Sequence, residues 1–141
     1  MPTVEITNTH PRKRIPRKQL LRLISIILSG ERKSNSSWVS LVFVTRRTIR
    51  RINKSFLHHD YETDCISFPL HPPFDKTIQG EIYVSLDAAY DQSKIYRVSY
   101  FNEVLRLAAH GCLHLCGHED LTERSKKDMI DRGERYLNRL N

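Results

Sequence analysis

The stretch SYFNEVLRLAAHGCLHLCGHED, residues 99–120, joins the longest helical periodicity of the chain to a cluster of potential metal ligands. Its apolar residues recur at helical spacing, and Ser99 is placed to cap a helix. Gly117 is placed to end that helix, because glycine readily adopts the left-handed conformation that follows a helix C-terminus. The stretch therefore predicts one long core helix followed by a turn.

Two histidines on this helix have the spacing of metal ligands. At ~100° per residue, His110 and His114 lie about 40° apart on one face. A zinc site needs a third protein ligand, usually from another segment. The spacing from these histidines through Gly117 to Asp120 matches the extended zincin layout HExxHxxGxxH, with Asp in the third position. We expect a site of His110, His114 and Asp120, with His118 as the alternative third ligand.

One residue of the helix argues against a peptidase. Position 111 is Gly, where a zincin metalloprotease has its general-base Glu. Peptide hydrolysis by the usual route is therefore not supported. Three protein ligands still leave an open coordination position for water or a phosphate oxygen, as metal-assisted hydrolysis requires.

The cysteines belong to a different face of the same helix. Cys112 and Cys116 point nearly opposite to the histidines, so one ion could not use both sets. We expect both thiols, and Cys65 in a predicted strand, to pack in the core. Three cysteines are an odd number in a chain without an export signal, which argues against a disulfide framework.

Composition indicates one basic domain. The 141 residues suit a single domain, residues 1–141, and 23 Lys plus Arg against 16 Asp plus Glu give a net charge of +7. This charge favours a polyanionic partner, although it serves solubility equally and does not separate nucleic acid from an acidic membrane. No stretch reaches the ~18 apolar residues of a membrane span, and the N-terminus lacks a signal-peptide core, which predicts a cytoplasmic location.

The remaining pattern alternates strands and helices. Predicted strands cover residues 4–7, 38–45, 65–70 and 80–86, and predicted helices cover 16–29, 46–57, 87–96 and a last one from about 122. Thr45 and Asp87 are the expected N-caps of two of these helices. The residues expected to face the core are Ile49, Ile52 and Phe56 in one helix and Met129, Ile130, Tyr136 and Leu137 in the last. The predicted fold is a single α+β domain with a central mixed sheet flanked by helices and a zincin-like metal-binding helix.

Cations cover the outer sides of the helix at 46–57. A solvated face is the default interpretation of such a run, and only a nearby active site would favour RNA binding. On that condition, the candidate RNA-binding residues are Arg46, Arg47, Arg50 and Lys54.

Three segments resemble the YbeY family of metal-dependent endoribonucleases. HGCLHLCGHED is similar to the family's HGxLHLxGxDH signature, TDCISFPL to its TDVLSFP segment, and GEIYVSLDAA to its GDIxISxDxA segment. The resemblance implies an α+β fold and one zinc-type ion per chain in a cleft, with other divalent transition metals as alternatives. It also implies single-strand-specific cleavage of ribosomal RNA, notably maturation of the small-subunit rRNA 3′ end, and ribosome quality control.

Residue by residue, the resemblance carries over incompletely. The first two family ligands correspond to His110 and His114, but the family's third histidine falls on Asp120. Either Asp120 replaces it in place or His118 is recruited by a shifted loop. The family commonly has an arginine where this chain has Leu57, so a phosphate-binding role would weaken or pass to another cation: His58, His59, Arg50 or Lys54.

The resulting hypothesis is phosphodiester cleavage in which the ion, held in part by the catalytic ligand His114, polarises a phosphoryl oxygen or activates water. Glu119 is the candidate general base, and it equally suits a solvent-facing loop acid. Water and the RNA 2′-OH both remain open as the nucleophile. Two alternatives are a metal-dependent peptidase and a non-catalytic ribosome-associated assembly factor with a structural metal.

Overall fold

A four-stranded sheet and five helices make up residues 1–140, the part of the chain that the computed structural model describes. Asn141, the last residue of the predicted domain, lies outside the described residues. The elements are β1 (Thr3–Asn8), α1 (Arg17–Gly30), β2 (Trp38–Val44), α2 (Arg46–Leu57), β3 (Cys65–Pro69), β4 (Gln79–Ser85), α3 (Leu86–Tyr96), α4 (Tyr100–Leu115) and α5 (Glu123–Asn138).

The sheet is mixed, with the strand order β1-β2-β4-β3. Strand β2 runs parallel to both β1 and β4, with Leu41 opposite Ile6 on one side and Ile82 on the other. Strand β3 runs antiparallel to β4 and forms an edge, with Ile66 opposite Tyr83. The predicted α+β class with a mixed sheet is therefore confirmed.

The main core lies on one face of this sheet. Alternate residues of β2, including Val39, Leu41 and Phe43, are fully buried there against α1 and α4. Each such side chain contributes roughly 1.5–3 kcal/mol through removal of apolar surface from water. A smaller cluster of Val44, Ile49 and Ile66 forms where α2 packs. The sheet is thus covered unequally, and α4 is the helix that matters for the site.

Helix α4 packs against β3, β4 and three other helices. The contact with the sheet is very close at Gly111, where an added Cβ would lie 2.5 Å from Ile82 Cγ2 and 2.9 Å from Cys65 Sγ. The flanking His110 and His114 remain half-buried beside this contact. The position that holds the general-base Glu in a metalloprotease therefore has no room here for any side chain.

Most helix ends match the sequence prediction, and one expected N-cap does not. Thr45 and Ser99 cap α2 and α4 as expected. Asp87 does not cap α3; Ser85 does, because its hydroxyl accepts a hydrogen bond from the Ala88 amide. Instead, Asp87 lies in the first turn of α3.

Two residues predicted to face the core are exposed. Phe56 is 68% exposed although its ring pairs edge-on with Phe68 of β3, and the polar Asn53 of the same helix is buried, at 2%. Ile130 is 41% exposed and borders a cavity of about 140 Å³ between α4 and α5. The prediction was correct for Ile49, which is fully buried, and for Met129, Tyr136 and Leu137.

Candidate metal centre

Three donor atoms meet where α4 ends. His110 Nε2 and His114 Nε2 lie 3.1 Å apart. Asp120 Oδ2 lies 3.5 Å from the first of these nitrogens and 3.6 Å from the second. Of the His, Cys, Asp and Glu side chains described, these form one group of three that could hold a metal ion.

The distances between the donors suit a tetrahedral ion. Bonds of about 2.0–2.1 Å to nitrogen and carboxylate oxygen place neighbouring ligand atoms about 3.3–3.4 Å apart in a tetrahedron. The observed separations of 3.1, 3.5 and 3.6 Å bracket that value. Three protein donors leave the fourth position for water or substrate, as in catalytic rather than purely structural sites.

The protonation of the two imidazoles also suits a metal. A carbonyl oxygen only accepts hydrogen bonds, so the 3.1 Å contact to the His118 carbonyl makes His114 Nδ1 the protonated nitrogen. That tautomer leaves Nε2 free to bind an ion. Burial lowers the pKa of His110, and the neighbouring His114 lowers it further, which favours the neutral form that ligates metals.

A helix-ending motif brings Asp120 back to the histidines. Gly117 has a φ of 100°, in the region that favours glycine. Its amide donates to the His114 carbonyl, and the His118 amide donates to the Leu113 carbonyl, which is the Schellman pattern. The chain therefore reverses immediately after the second histidine.

His118 is held away from the donor group. Its Nε2 contacts the carboxylate of Glu31, which also accepts hydrogen bonds from Arg132 and Tyr136. Burial alone would raise the pKa of Glu31, but the hydrogen bonds from Tyr136 and His118 and the charge of Arg132 lower it overall. The structure therefore brings Asp120, and not the His118 side chain, to His110 and His114.

A cleft of about 530 Å³ opens beside the centre. His114 and Glu119 line it together with Leu57 from the end of α2. The candidate base Glu119 is thus near the metal ligands, and its role stays a prediction. Leu57 faces the cleft without a charge, and His59 is the member of the predicted replacement cations that lines the same cleft.

The basic residues of α2 are partly neutralised. Arg46 pairs with Asp91 at 2.7 Å and with Glu62 at 3.5 Å. Both Arg50 and Lys54 pair with Asp60, at 3.0 and 3.9 Å. Arg47 is exposed and makes no ion pair within residues 1–140. None of the four lines the cleft beside the metal ligands.

The three cysteines are free and pack in or against the core, as predicted. Cys112 is fully buried, and Cys65 Sγ donates to the Leu107 carbonyl at 3.6 Å. Burial raises the pKa of Cys65 strongly, so that this sulfur is a neutral thiol rather than a metal-binding thiolate.

Sequence reasoning missed Glu31 and Glu103. Glu31 looks like an ordinary polar residue after a helix, and its partners lie 87 and 101 residues further along the chain. Glu103 looks like a first-turn acid of α4, which would favour exposure, yet it is 2% exposed. Nothing in the adjacent sequence indicates the contacts of Glu31 or the burial of Glu103, because both depend on residues from other elements.

The protein-family model described as Endoribonuclease YbeY matches residues 5–141. The chain is 37% identical to Endoribonuclease YbeY of Chlorobium phaeobacteroides over 138 residues, covering 98% of this chain and 97% of the relative. It is 37% identical to the Chloroherpeton thalassium protein of the same name over 126 residues, covering 89% and 87%. It is 32% identical to the Salinibacter ruber protein of that name over 142 residues, covering 96% and 90%.

A solution structure of a Thermotoga maritima protein has a similar fold, with a TM-score of 0.67 over 98% of this chain and 89% of that one. At 22% identity, this similarity supports the fold alone. Within residues 1–140, no helix combines the length and apolar character that crossing a membrane requires.

Proposed function

Because the chain belongs to the YbeY family of endoribonucleases, we propose that His110, His114 and Asp120 hold one divalent metal ion and that RNA is cleaved in the cleft beside it. The chain is a hydrolase that acts on RNA, and rRNA processing is the function of its family. The finer proposal for this chain is cleavage of single-stranded RNA at the small-subunit rRNA 3′ end, in the cytoplasm and in contact with the small ribosomal subunit.

One observation carries the assignment of the site. Two imidazoles and one carboxylate converge at tetrahedral spacing next to an open cleft. Two nitrogens and one oxygen are ligands that zinc accepts readily, so we propose zinc, with other divalent transition metals as the alternative. When bound, the ion would polarise a phosphoryl oxygen or lower the pKa of a water molecule.

The chain's own residues have separate parts in this proposal. His110 and His114 present their Nε2 atoms from a rigid helix, and the His118 carbonyl fixes the tautomer of the second ring. Asp120 supplies a negative charge that partly balances the ion. Glu119, in the cleft wall, is the proposed proton acceptor.

Metal analysis of three proteins tests the ligand set. The native protein and His118→Ala should each bind one ion per chain, while Asp120→Ala should lose most of it, because Asp120 contributes a donor atom to the group and the His118 side chain does not. His118→Ala is the matched control, since it alters the same loop. Loss of metal from His118→Ala, with Asp120→Ala still loaded, would reverse the assignment.

Activity assays separate the proposed reaction from its competitors. Each loaded protein is incubated with single-stranded RNA and with an unfolded protein, with and without a chelator. We expect cleavage of the RNA and not of the unfolded protein. The chelator should abolish this cleavage, and added zinc should restore it. Proteolysis would indicate a peptidase. Metal-dependent thermal stability without RNA cleavage would indicate an assembly factor with a structural ion.

A further inference from the structure

Three aromatic side chains line the metal cleft and are not among the metal ligands. His59, Tyr61 and Phe74 all line this cleft, together with His114. Tyr61 is 55% exposed and Phe74 is 91% exposed. The rings of His59 and Tyr61 form a pair with centroids 5.3 Å apart and planes tilted by 37°.

Hydrogen bonds hold the main chain of His59 and Tyr61 in place and leave both rings exposed. Asn53, buried at the end of α2, donates from Nδ2 to the Tyr61 carbonyl at 3.1 Å and accepts from the His59 amide on its own carbonyl at 3.2 Å. The main chain of the pair is therefore anchored while the rings remain free. Phe74 has a φ of 63°, a left-handed conformation that phenylalanine rarely adopts. Such conformations cluster at ligand contacts, where function offsets their strain.

The cleft lacks the cations that would grip a phosphate backbone. Among the described residues that line it, there is no lysine or arginine, and Leu57 occupies the position where the resemblance leads one to expect an arginine. Attraction to phosphate alone thus gives little affinity within this cleft. Its histidines and aromatic rings can contribute through flat contacts with nucleobases instead.

We propose that the His59–Tyr61 pair and Phe74, all in the lining of this cleft, form a stacking site for unpaired nucleobases of the RNA strand that reaches the metal centre. This inference rests on the proposed function and adds the group that the cleft recognises. Stacking on a side chain requires a base whose face is uncovered, which a base within a duplex does not offer. The site would therefore select single strands by their bases rather than by their charge.

An abasic substitution gives a direct test, because it removes one base and leaves every phosphate in place. Binding of a labelled single-stranded RNA is measured by anisotropy in the presence of a chelator, so that the RNA stays intact. Abasic positions are scanned along the strand. For the native protein, at least one of them should weaken binding about 5-fold to 150-fold, the range that base–aromatic stacking supplies.

Variants assign this loss to particular rings. Tyr61→Ala should bind intact RNA more weakly by a similar factor and should no longer distinguish the abasic strand at that position. Tyr61→Phe keeps a flat ring and should behave like the native protein. Phe56→Ala is the matched control, because Phe56 is 68% exposed but pairs with Phe68 outside the cleft. Equal melting temperatures exclude loss of folding as the cause.

Two results would overturn the stacking site. One is a native protein that binds duplex or fully abasic RNA as tightly as the intact single strand. The other is an abasic penalty that Tyr61→Ala and Phe74→Ala leave unchanged. Cleavage is scored separately with zinc present: cleavage without base dependence removes only the stacking site, whereas base-dependent binding without cleavage removes the proposed function and leaves the site.

Discussion

At the scale of single residues, Glu103 is the most unusual side chain near the metal centre. It lies in α4, seven residues before His110, and both residues line the same cavity. Its Oε1 has no hydrogen-bond partner among the described residues, and Arg106 Nε lies 3.6 Å away. Burial raises the pKa of Glu103 above its ordinary value of 4.5, although the charge of Arg106 opposes the shift. The folded protein therefore keeps this proton to a higher pH than the unfolded chain does.

The raised pKa predicts a stability that depends on pH. Because the folded state binds this proton more tightly, the stability is fully present below pH 4.5 and is lost as the pH rises through the folded pKa. Glu103→Gln removes the ionisation, so we expect a variant that is more stable than the native protein at pH 7, with the gain vanishing below about pH 4.5. Urea unfolding between pH 4 and 8 measures this difference.

Glu134→Gln is the control for the charge of Arg106. Glu134 contacts the same guanidinium at 3.6 Å but is about half exposed. Its substitution should change the free energy of unfolding by less than about 0.5 kcal/mol at every pH. A Glu103→Gln effect that does not vary with pH would show that packing, rather than ionisation, causes it.

At the scale of elements, the ends of the helices could be predicted from the sequence, but which elements lie next to each other in the fold could not. Thr45, Ser99 and Gly117 act through groups within a few residues, so local sequence is sufficient to identify them. The insertion of β4 between β2 and β3 depends on contacts across the whole chain. The exposure of Phe56 has the same origin, because helical periodicity identifies the apolar residues of a helix but not how fully the sheet covers each one.

The donor group could be predicted because, as at the helix ends, its members lie within a few residues of each other. His110 and His114 share a helix face, and Asp120 follows within one turn and a loop, so spacing alone brings them together. The position of the His118 side chain could not be predicted, since it depends on Glu31, the residue that follows α1. The cleft walls are also beyond sequence reasoning, because they combine α2, the loop after it and the segment after β3.

The close packing of α4 on the sheet predicts a large difference between two glycines. Gly111→Ala places a methyl group 2.5 Å from Ile82 Cγ2 and should destabilise the protein by about 1–3 kcal/mol through overpacking. Gly133→Ala, in α5, meets only Leu113 Cδ1 at 3.9 Å and should be neutral or stabilise by up to about 1 kcal/mol. Urea unfolding of both variants tests this, and equal effects would contradict the packing described for Gly111.

At the scale of the whole molecule, the net charge of +7 is distributed away from the metal cleft. Acidic partners already engage Arg46, Arg50 and Lys54 on α2, so their charges are partly balanced before RNA binds. Arg47 is exposed on the same helix and has no such partner within residues 1–140. The net charge thus overstates the number of cations that are available to a phosphate backbone.

Among the four candidate RNA-binding cations, this distribution favours Arg47. Arg47→Ala should weaken binding of single-stranded RNA and reduce the slope of log K against log salt by about 0.7, the value for one phosphate contact. Arg46→Ala should change the slope less, because Asp91 and Glu62 already hold its guanidinium. Titrations at several salt concentrations measure both slopes. An unchanged slope for Arg47→Ala would remove this residue from the RNA-binding set.

The strand order also determines at what point during translation the sheet and the metal centre can fold. Strand β2 must pair with β1, about 35 residues earlier, and with β4, about 40 residues later, so the sheet is built from non-local contacts. Such topologies fold more slowly than local ones of the same size, because loops must close before contacts stabilise them. Asp120 is synthesised after all four strands, and Arg132 and Tyr136, the partners of Glu31, are synthesised later still. A nascent chain therefore cannot complete its metal centre before Asp120, and with it all four strands, has left the ribosome.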